Sequence, residues 1–190
     1  MGRRSLAAER TDEILDAVES CIVEWGYPNT TISRIAATAG MSPGHLTHYL
    51  PTKDAIITAM MERLLRRLTE SLVPLQSGPA AQRLKLALDR AFTIGDHHLM
   101  RLVDEIIAIS FTDQNAREAV ATLYFDFRRW WEEVLVAAYP KAPVKRRRDV
   151  ARSLVWLAHG VRLSATLDMG LGEMRATRRT AQLLVDSLDT

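Results

Sequence analysis

The chain has 190 residues, 47% of them hydrophobic and 25% charged, with a formal net charge of +2 at pH 7 and a single cysteine, Cys21. That length buries a sizeable core in one large or two small domains. One cysteine excludes an internal disulfide, no apolar run reaches the roughly eighteen residues of a membrane span, and Met1-Gly2-Arg3-Arg4-Ser5 opens no apolar leader. The expectation is a soluble protein of the reducing cytoplasm.

Residues 1 to 8 read as a mobile arm carrying Arg3 and Arg4. A helix follows from about Glu9 to Trp25, with Ile14, Leu15, Val18, Cys21, Ile22 and Trp25 as its apolar stripe. Gly26 closes it and Pro28-Asn29 turns the chain. Thr31 is placed to cap a second helix, in which Ile32, Ile35, Ala36 and Ala39 recur at helical spacing. Gly40 stops that helix, because glycine takes left-handed backbone angles without a side-chain penalty. Ser42-Pro43 then starts a third, serine as N-cap and proline in the first turn, where no N–H is needed. Its Leu46 and Leu50 face inward, which leaves His45, Thr47, His48 and Tyr49 outside. Two short helices joined by such a turn form a helix-turn-helix, whose second helix enters the major groove of DNA.

With Arg10, Ile14-Leu15-Asp16-Ala17, Trp25-Gly26-Tyr27 and Thr52-Lys53-Asp54 around it, this segment resembles the DNA-binding domain of the tetracycline-repressor (TetR) family over roughly residues 10 to 56. Thr47 stands where the family usually has an aromatic and Leu50 where phenylalanine is common. The Thr47-His48-Tyr49 run is closer to the branch that includes betaine-synthesis repressors. The resemblance implies base-edge contacts from His45, Thr47 and His48, and phosphate contacts from Thr31, Arg34, Tyr49 and Lys53. Ser42, Pro43 and Gly44 complete the expected DNA-binding set. Up to Asp54, Arg3, Arg4, Arg10, Arg34 and Lys53 are matched by Glu9, Asp12, Glu13, Asp16, Glu19, Glu24 and Asp54, so the head is not basic overall. Attraction to phosphates therefore depends on where individual cations sit. The Arg3-Arg4 arm reads equally as a DNA contact and as a solvated tail.

After Pro51, Thr52 is placed to cap a long helix, with Ile56, Ile57, Met60, Leu64, Leu65, Leu68 and Leu72 at helical spacing until Pro74 and Gly78-Pro79 break the pattern. Further helices are expected at about 80–93, 97–110, 113–138, 144–169 and 173–188. No strand-like alternation appears. The expected fold is all-α with about nine helices: a helix-turn-helix head over 1–52 and a ligand-binding and dimerisation body over 53–190.

Ala116, Val120, Leu123, Phe127, Trp130 and Val134 form one stripe, widened by Tyr124 and Trp131. Such bulky aromatics either fill an ordinary core or line a cavity for an apolar or cationic small molecule. The family keeps its effector site in this region, and the candidate set is Met100, Tyr124, Phe127, Trp130, Trp131 and Trp156. From Val150 to Met169 the chain is apolar nearly all round, as expected of a helix covered by its own core on one side and by a second molecule on the other. Leu154, Leu157, Val161 and Ala165, with Ala181, Leu184 and Leu188 of the next helix, are the candidate homodimer interface. A dimer places two recognition helices about 34 Å apart, in successive major grooves of a palindrome.

His45-x-x-His48 and His97-His98 lack further ligands at zinc-like spacing, so no metal is expected. Lys145-Arg146-Arg147-Arg148 reads as a solvated face or a partner contact rather than a nucleic-acid patch. Asp104-Glu105 near His97, His98 and Arg101 has no nucleophile, phosphate loop or oxyanion device beside it, so neither catalysis nor a cofactor is expected. The reading is a DNA-binding repressor that answers to a small molecule. Its rivals are a DNA-binding dimer without a switch, and a helical carrier or enzyme with a vestigial head.

Overall fold

The computed structural model describes residues 6–70, 78–92 and 97–189. The Arg3-Arg4 arm, the far end of the long helix at Leu72-Val73, Pro74, Thr93 and Gly95-Asp96 lie outside the described residues. Within them all regular structure is helical: α1 (Leu6–Trp25), a 3-10 turn (Tyr27–Asn29), α2 (Ile32–Thr38), α3 (Pro43–Tyr49), α4 (Lys53–Glu70), α5 (Ala80–Ala91), α6 (His97–Ser110), α7 (Gln114–Ala138), α8 (Val144–Thr166), α9 (Leu171–Asp186) and a closing 3-10 turn (Ser187–Asp189). None of these helices is long and apolar enough to cross a membrane.

Two compact units divide the chain, Met1–Leu68 with Arg101–Val120, and Thr69–Met100 with Ala121–Thr190. Residue 52, where the sequence suggests a boundary, marks only the change from one helix to the next. α4 carries the first unit on to Leu68, burying Ile56, Ile57, Met60, Met61, Leu64 and Leu68.

α2 and α3 have seven residues each, well short of the roughly 12–15 that an isolated helix needs in water. Their ends and their packing must therefore hold them. The Thr31 hydroxyl accepts the Arg34 N–H at 3.2 Å and the Ser42 hydroxyl accepts the His45 N–H at 3.2 Å. Gly40, at φ 65°, closes α2: its own N–H donates to Ala37 O at 3.1 Å and the Met41 N–H reaches Ala36 O at 2.9 Å. That pair of crossed bonds satisfies carbonyls the helix end leaves open, and only glycine takes the angle cheaply. Thr52 caps α4 by accepting the Ala55 N–H at 3.0 Å. α1 packs on both short helices, contributing Ile14, Val18, Cys21 and Ile22 to a core completed by Ile35, Ala36 and Leu46. The Cys21 sulfur lies 3.4 Å from the Thr38 hydroxyl, out of solvent.

The second unit has its core between α5, α7, α8 and α9, from Leu84 and Leu88 through Trp130, Trp131, Val134 and Leu135 to Leu154 and Val185. The basic run at the start of α8 serves this unit. Arg147 donates to the carbonyls of Tyr139, Pro140 and Ala142 at 3.0, 3.0 and 2.6 Å, and Arg146 donates to Ser187 O. These carbonyls belong to the turn that follows α7, so the Arg147 guanidinium ties that turn together just past the negative end of the helix. Half of the run expected to be solvated is thus structural.

Candidate nucleic-acid interface

α3 has a single fully buried residue, Leu46, at 0% exposure. Everything else on the helix is exposed or partly so. His45 and His48 meet the ring of Tyr49 edge-on, with centroids 5.4 and 5.3 Å apart. The three rings hold one another on the outer face, so less side-chain freedom remains to be lost when the helix meets a partner. Thr47 donates its hydroxyl to Gly44 O at 3.2 Å and keeps its oxygen lone pairs as acceptors. Imidazole, hydroxyl and phenol together offer both donors and acceptors, the chemistry that base edges require. Ser42, Pro43 and Gly44 are exposed at the start of this helix.

The expected phosphate contacts prove to have ties within the head. Arg34 lies over the Trp25 ring, 4.7 Å from its centroid, and donates to Asn29 O at 2.8 Å. Lys53 lies over the Tyr27 ring at 4.3 Å and donates to Tyr27 O at 3.3 Å. Each cation is held by an aromatic face and a carbonyl, and each retains further N–H donors. Thr31 accepts in its capping bond, so its hydroxyl proton is left to donate. The Tyr27 backbone N–H donates to Glu105 of α6 at 3.2 Å. Glu105, raised in the sequence as one of an acid/base set, is therefore committed to a turn of the head.

Other acids of the head are also neutralised locally. Glu13 pairs with Arg10 at 2.6 Å, the contact that chiefly holds the Arg10 guanidinium above its ordinary value. Asp16 and Glu19 pair with Arg63, and Glu19 with Arg67. A segment nearly neutral by composition thereby has several of its carboxylates covered by arginines, while Arg34 and Lys53 stay within reach of solvent. No three His, Cys, Asp or Glu side chains gather as a metal site among the described residues.

In the body, the six candidate ligand residues part company. Trp130 and Trp131 pack edge-on in the core, with centroids 4.9 Å apart. Tyr124 and Phe127 are half-buried against that core, and Met100 is half-buried in the first turns of α6. Trp156, at 57% exposure, stacks on Tyr124 with centroids 5.1 Å apart. His159 and Arg162 join that pair, though neither was singled out by the sequence. Tyr124 Oη lies 2.5 Å and Arg162 Nη2 2.8 Å from His159 Nδ1. A guanidinium only donates, so Nδ1 is the acceptor in the contact with Arg162.

Burial also rearranges the candidate interface. Leu154, Val161, Ala181 and Leu188 lie in the core of their own chain, and Leu157 and Leu184 are packed against it; Ala165 is half-buried. The apolar side chains these two helices expose include instead Val144, Trp156 and Leu163 on α8, Leu167 at its C-cap, and Leu183 on α9. A helix apolar nearly all round does not reveal which of its faces turns inward.

A capped, aromatic-faced second helix packed on a three-helix head defines a helix-turn-helix DNA-binding protein. Residues 14–60 match the family described as bacterial regulatory proteins, tetR family. Over 183 residues the chain is 29% identical to the HTH-type transcriptional regulator BetI of Burkholderia ambifaria, covering 94% of this chain and 93% of that one. The BetI regulator of Burkholderia cenocepacia is 27% identical over 184 residues, with coverage of 94% and 93%. A TetR transcription regulator from Haloarcula marismortui superposes with a TM-score of 0.84 at 23% identity, covering 95% of this chain and 98% of that one. A putative transcriptional regulator from Saccharomonospora viridis, solved in complex with choline, superposes at 0.79 with 16% identity and coverage of 94% and 96%. The head of this chain thus carries the tetR-family DNA-binding segment, and the whole chain is similar in sequence and fold to transcriptional regulators of that family.

Proposed function

We propose that this regulator is a repressor which binds a palindromic operator as a homodimer and releases or retains it according to a small cationic molecule. The observation that carries the DNA reading is α3 itself: anchored by Leu46, capped by Ser42, with His45, Thr47, His48 and Tyr49 outward. His45, Thr47 and His48 are assigned to base edges. Thr31, Arg34, Tyr49 and Lys53 are assigned to phosphates, the two cations reaching them from their aromatic platforms.

Dimerisation is supported by the exposed apolar line of Trp156 and Leu163 on α8, with Gly160 on the same line and Leu167 continuing it at the C-cap, and by Leu183 on α9. Single exposed apolar residues are ordinary, but a line of them along one helix marks a surface that another molecule covers. A second copy brings the same line, as a two-fold axis requires.

The effector reading draws on the choline bound to the Saccharomonospora viridis protein and on the aromatic side chains of α7, whose faces attract a quaternary ammonium. The buried Trp130 indole N–H has no hydrogen-bond partner, as suits a group awaiting an acceptor on a ligand. The effector acts only through unequal affinity for two states of the protein, and a coupling of about 1–3 kcal/mol is enough to change occupancy substantially. A body without a switch is the second reading, favoured by the place of Trp130 and Trp131 in a filled core.

Selection of duplexes from a random pool at stated salt, with gel filtration of the same protein, tests the first part. A palindrome recovered by a dimer supports it, and a folded protein that enriches nothing at any salt overturns it. Choline titrated against the recovered complex tests the switch: a shift in operator affinity together with a raised melting temperature supports it. Neither change from choline or from its oxidised analogues favours the unswitched dimer.

A further inference from the structure

Glu19 is a carboxylate on the core side of α1, 5% exposed, and α4 reaches it with two arginines one helical turn apart. Arg63 donates to Oε1 through Nε at 3.0 Å and Nη2 at 2.5 Å, and Arg67 donates to Oε2 at 2.9 Å. The third nitrogen of Arg63 spans the preceding turns of α1, donating to Asp16 Oδ1 at 2.8 Å and to Asp12 O at 3.3 Å. Two carboxylates, Asp16 and Glu19, balance two guanidiniums, and both oxygens of Glu19 are engaged.

Apolar packing between α1 and α4 is non-directional and allows one helix to roll or slide on the other. A guanidinium fork on a buried carboxylate does not, because it fixes distance and angle together. Shifting α4 along α1 would strand a charge away from water, which is far costlier than losing a surface pair. Such a network specifies register more than it adds stability. Its position gives that register a use. α1 packs on the recognition helix and its partner, whereas α4 begins at the phosphate candidate Lys53 and runs out of the first compact unit at Leu68. Arg63 and Arg67 are the charged contacts between α4 and α1 that lie nearest that exit among the described residues.

We infer that Glu19, held by Arg63 and Arg67, is a positioning residue for operator reading: it fixes the pitch of α4 on α1, and so the spacing between half-sites that a dimer accepts. This rests on the reading of the protein as a dimeric binder of palindromic DNA. The recognition side chains are untouched by the clamp, so the half-site sequence is independent of it and only the spacing responds.

The test uses the full-length protein and duplexes that carry the selected half-sites at a series of spacings. Wild type favours one spacing. In Glu19→Gln, which removes the charge and turns an N–H group toward arginine, preference for that spacing over its neighbours falls on the order of tenfold, within the range of couplings between sites. The half-site sequence recovered stays the same. A second variant, Glu19→Met with Arg63→Met, replaces the pair by packing, which is often neutral or stabilising. It keeps the wild-type melting temperature while its spacing preference is relaxed, a result that a merely structural role does not give. A folded Met pair variant as selective for spacing as wild type overturns the inference. Wild type that recovers no palindrome overturns the dimeric reading, and the clamp's role with it.

Discussion

Leu46→Ala is the sharpest test of how the recognition helix is held. Leu46 is the only residue of α3 that is fully buried, at 0% exposure, so nearly all the packing that docks the helix passes through one side chain. Truncation of a fully buried leucine costs about 2–5 kcal/mol, part transfer and part cavity. What remains is the Ser42 cap, worth about 1 kcal/mol, and seven residues that cannot stay helical alone. The cost falls on α3 before it reaches the rest of the head, because α1, α2 and α4 keep their own contacts. A loss near 3 kcal/mol corresponds to a drop in operator affinity on the order of a hundredfold. Hydrogen exchange of the amides from His45 to Leu50, beside operator titration at fixed salt, reads both effects: protection is lost there while α1 stays protected. Native protection in α3 and unchanged affinity in the variant would refute the reasoning.

Lys53→Ala weakens binding to all duplexes alike and lowers the salt slope of affinity by about one. His48→Ala also relaxes choice of sequence, and unchanged relative affinities among operator variants would remove His48 from the base-reading set. Leu183→Glu, at a position 70% exposed, leaves the fold intact and shifts the proposed dimer to monomer on gel filtration, whereas Leu154→Glu unfolds the body. The Tyr27 phenol is held above its ordinary value, first by burial and then by Asp54 and Asp113. A raised folded value favours the protonated form, so its contribution to stability is complete below the ordinary phenol range and is lost as pH rises through the raised value. Denaturation midpoints of wild type and Tyr27→Phe, followed through the alkaline range, should therefore converge toward high pH.

The parts of the fold legible in the sequence are those set by chemistry within a few residues. Thr31, Gly40, Ser42 and Pro43 act on their own helix ends, and the structure has a helix-turn-helix where they placed it. Contacts between distant residues were not legible. Lys53 and Tyr27 are twenty-six residues apart, and Glu19 and Arg63 forty-four. Nothing local to any of them announces an aromatic platform or a clamp. A charged residue between Val18 and Cys21, on the buried side of an apolar stripe, was the available signal for Glu19. On α8 the difficulty was phase, since apolar residues on every face leave the inward side to be settled by α7 and α9. Leu154 and Val161 went inward and left Trp156 and Leu163 outside.

Cys21 is the chain's single thiol and lies at 0% exposure against α2. A thiol-specific reagent can react only in molecules whose head has opened, so its rate under native conditions, compared with that of a free thiol, gives the opening equilibrium of the head alone. The same measurement with operator present reports how far DNA suppresses that opening, with no residue changed. The protein carries its own gauge of how firmly the reading head is closed.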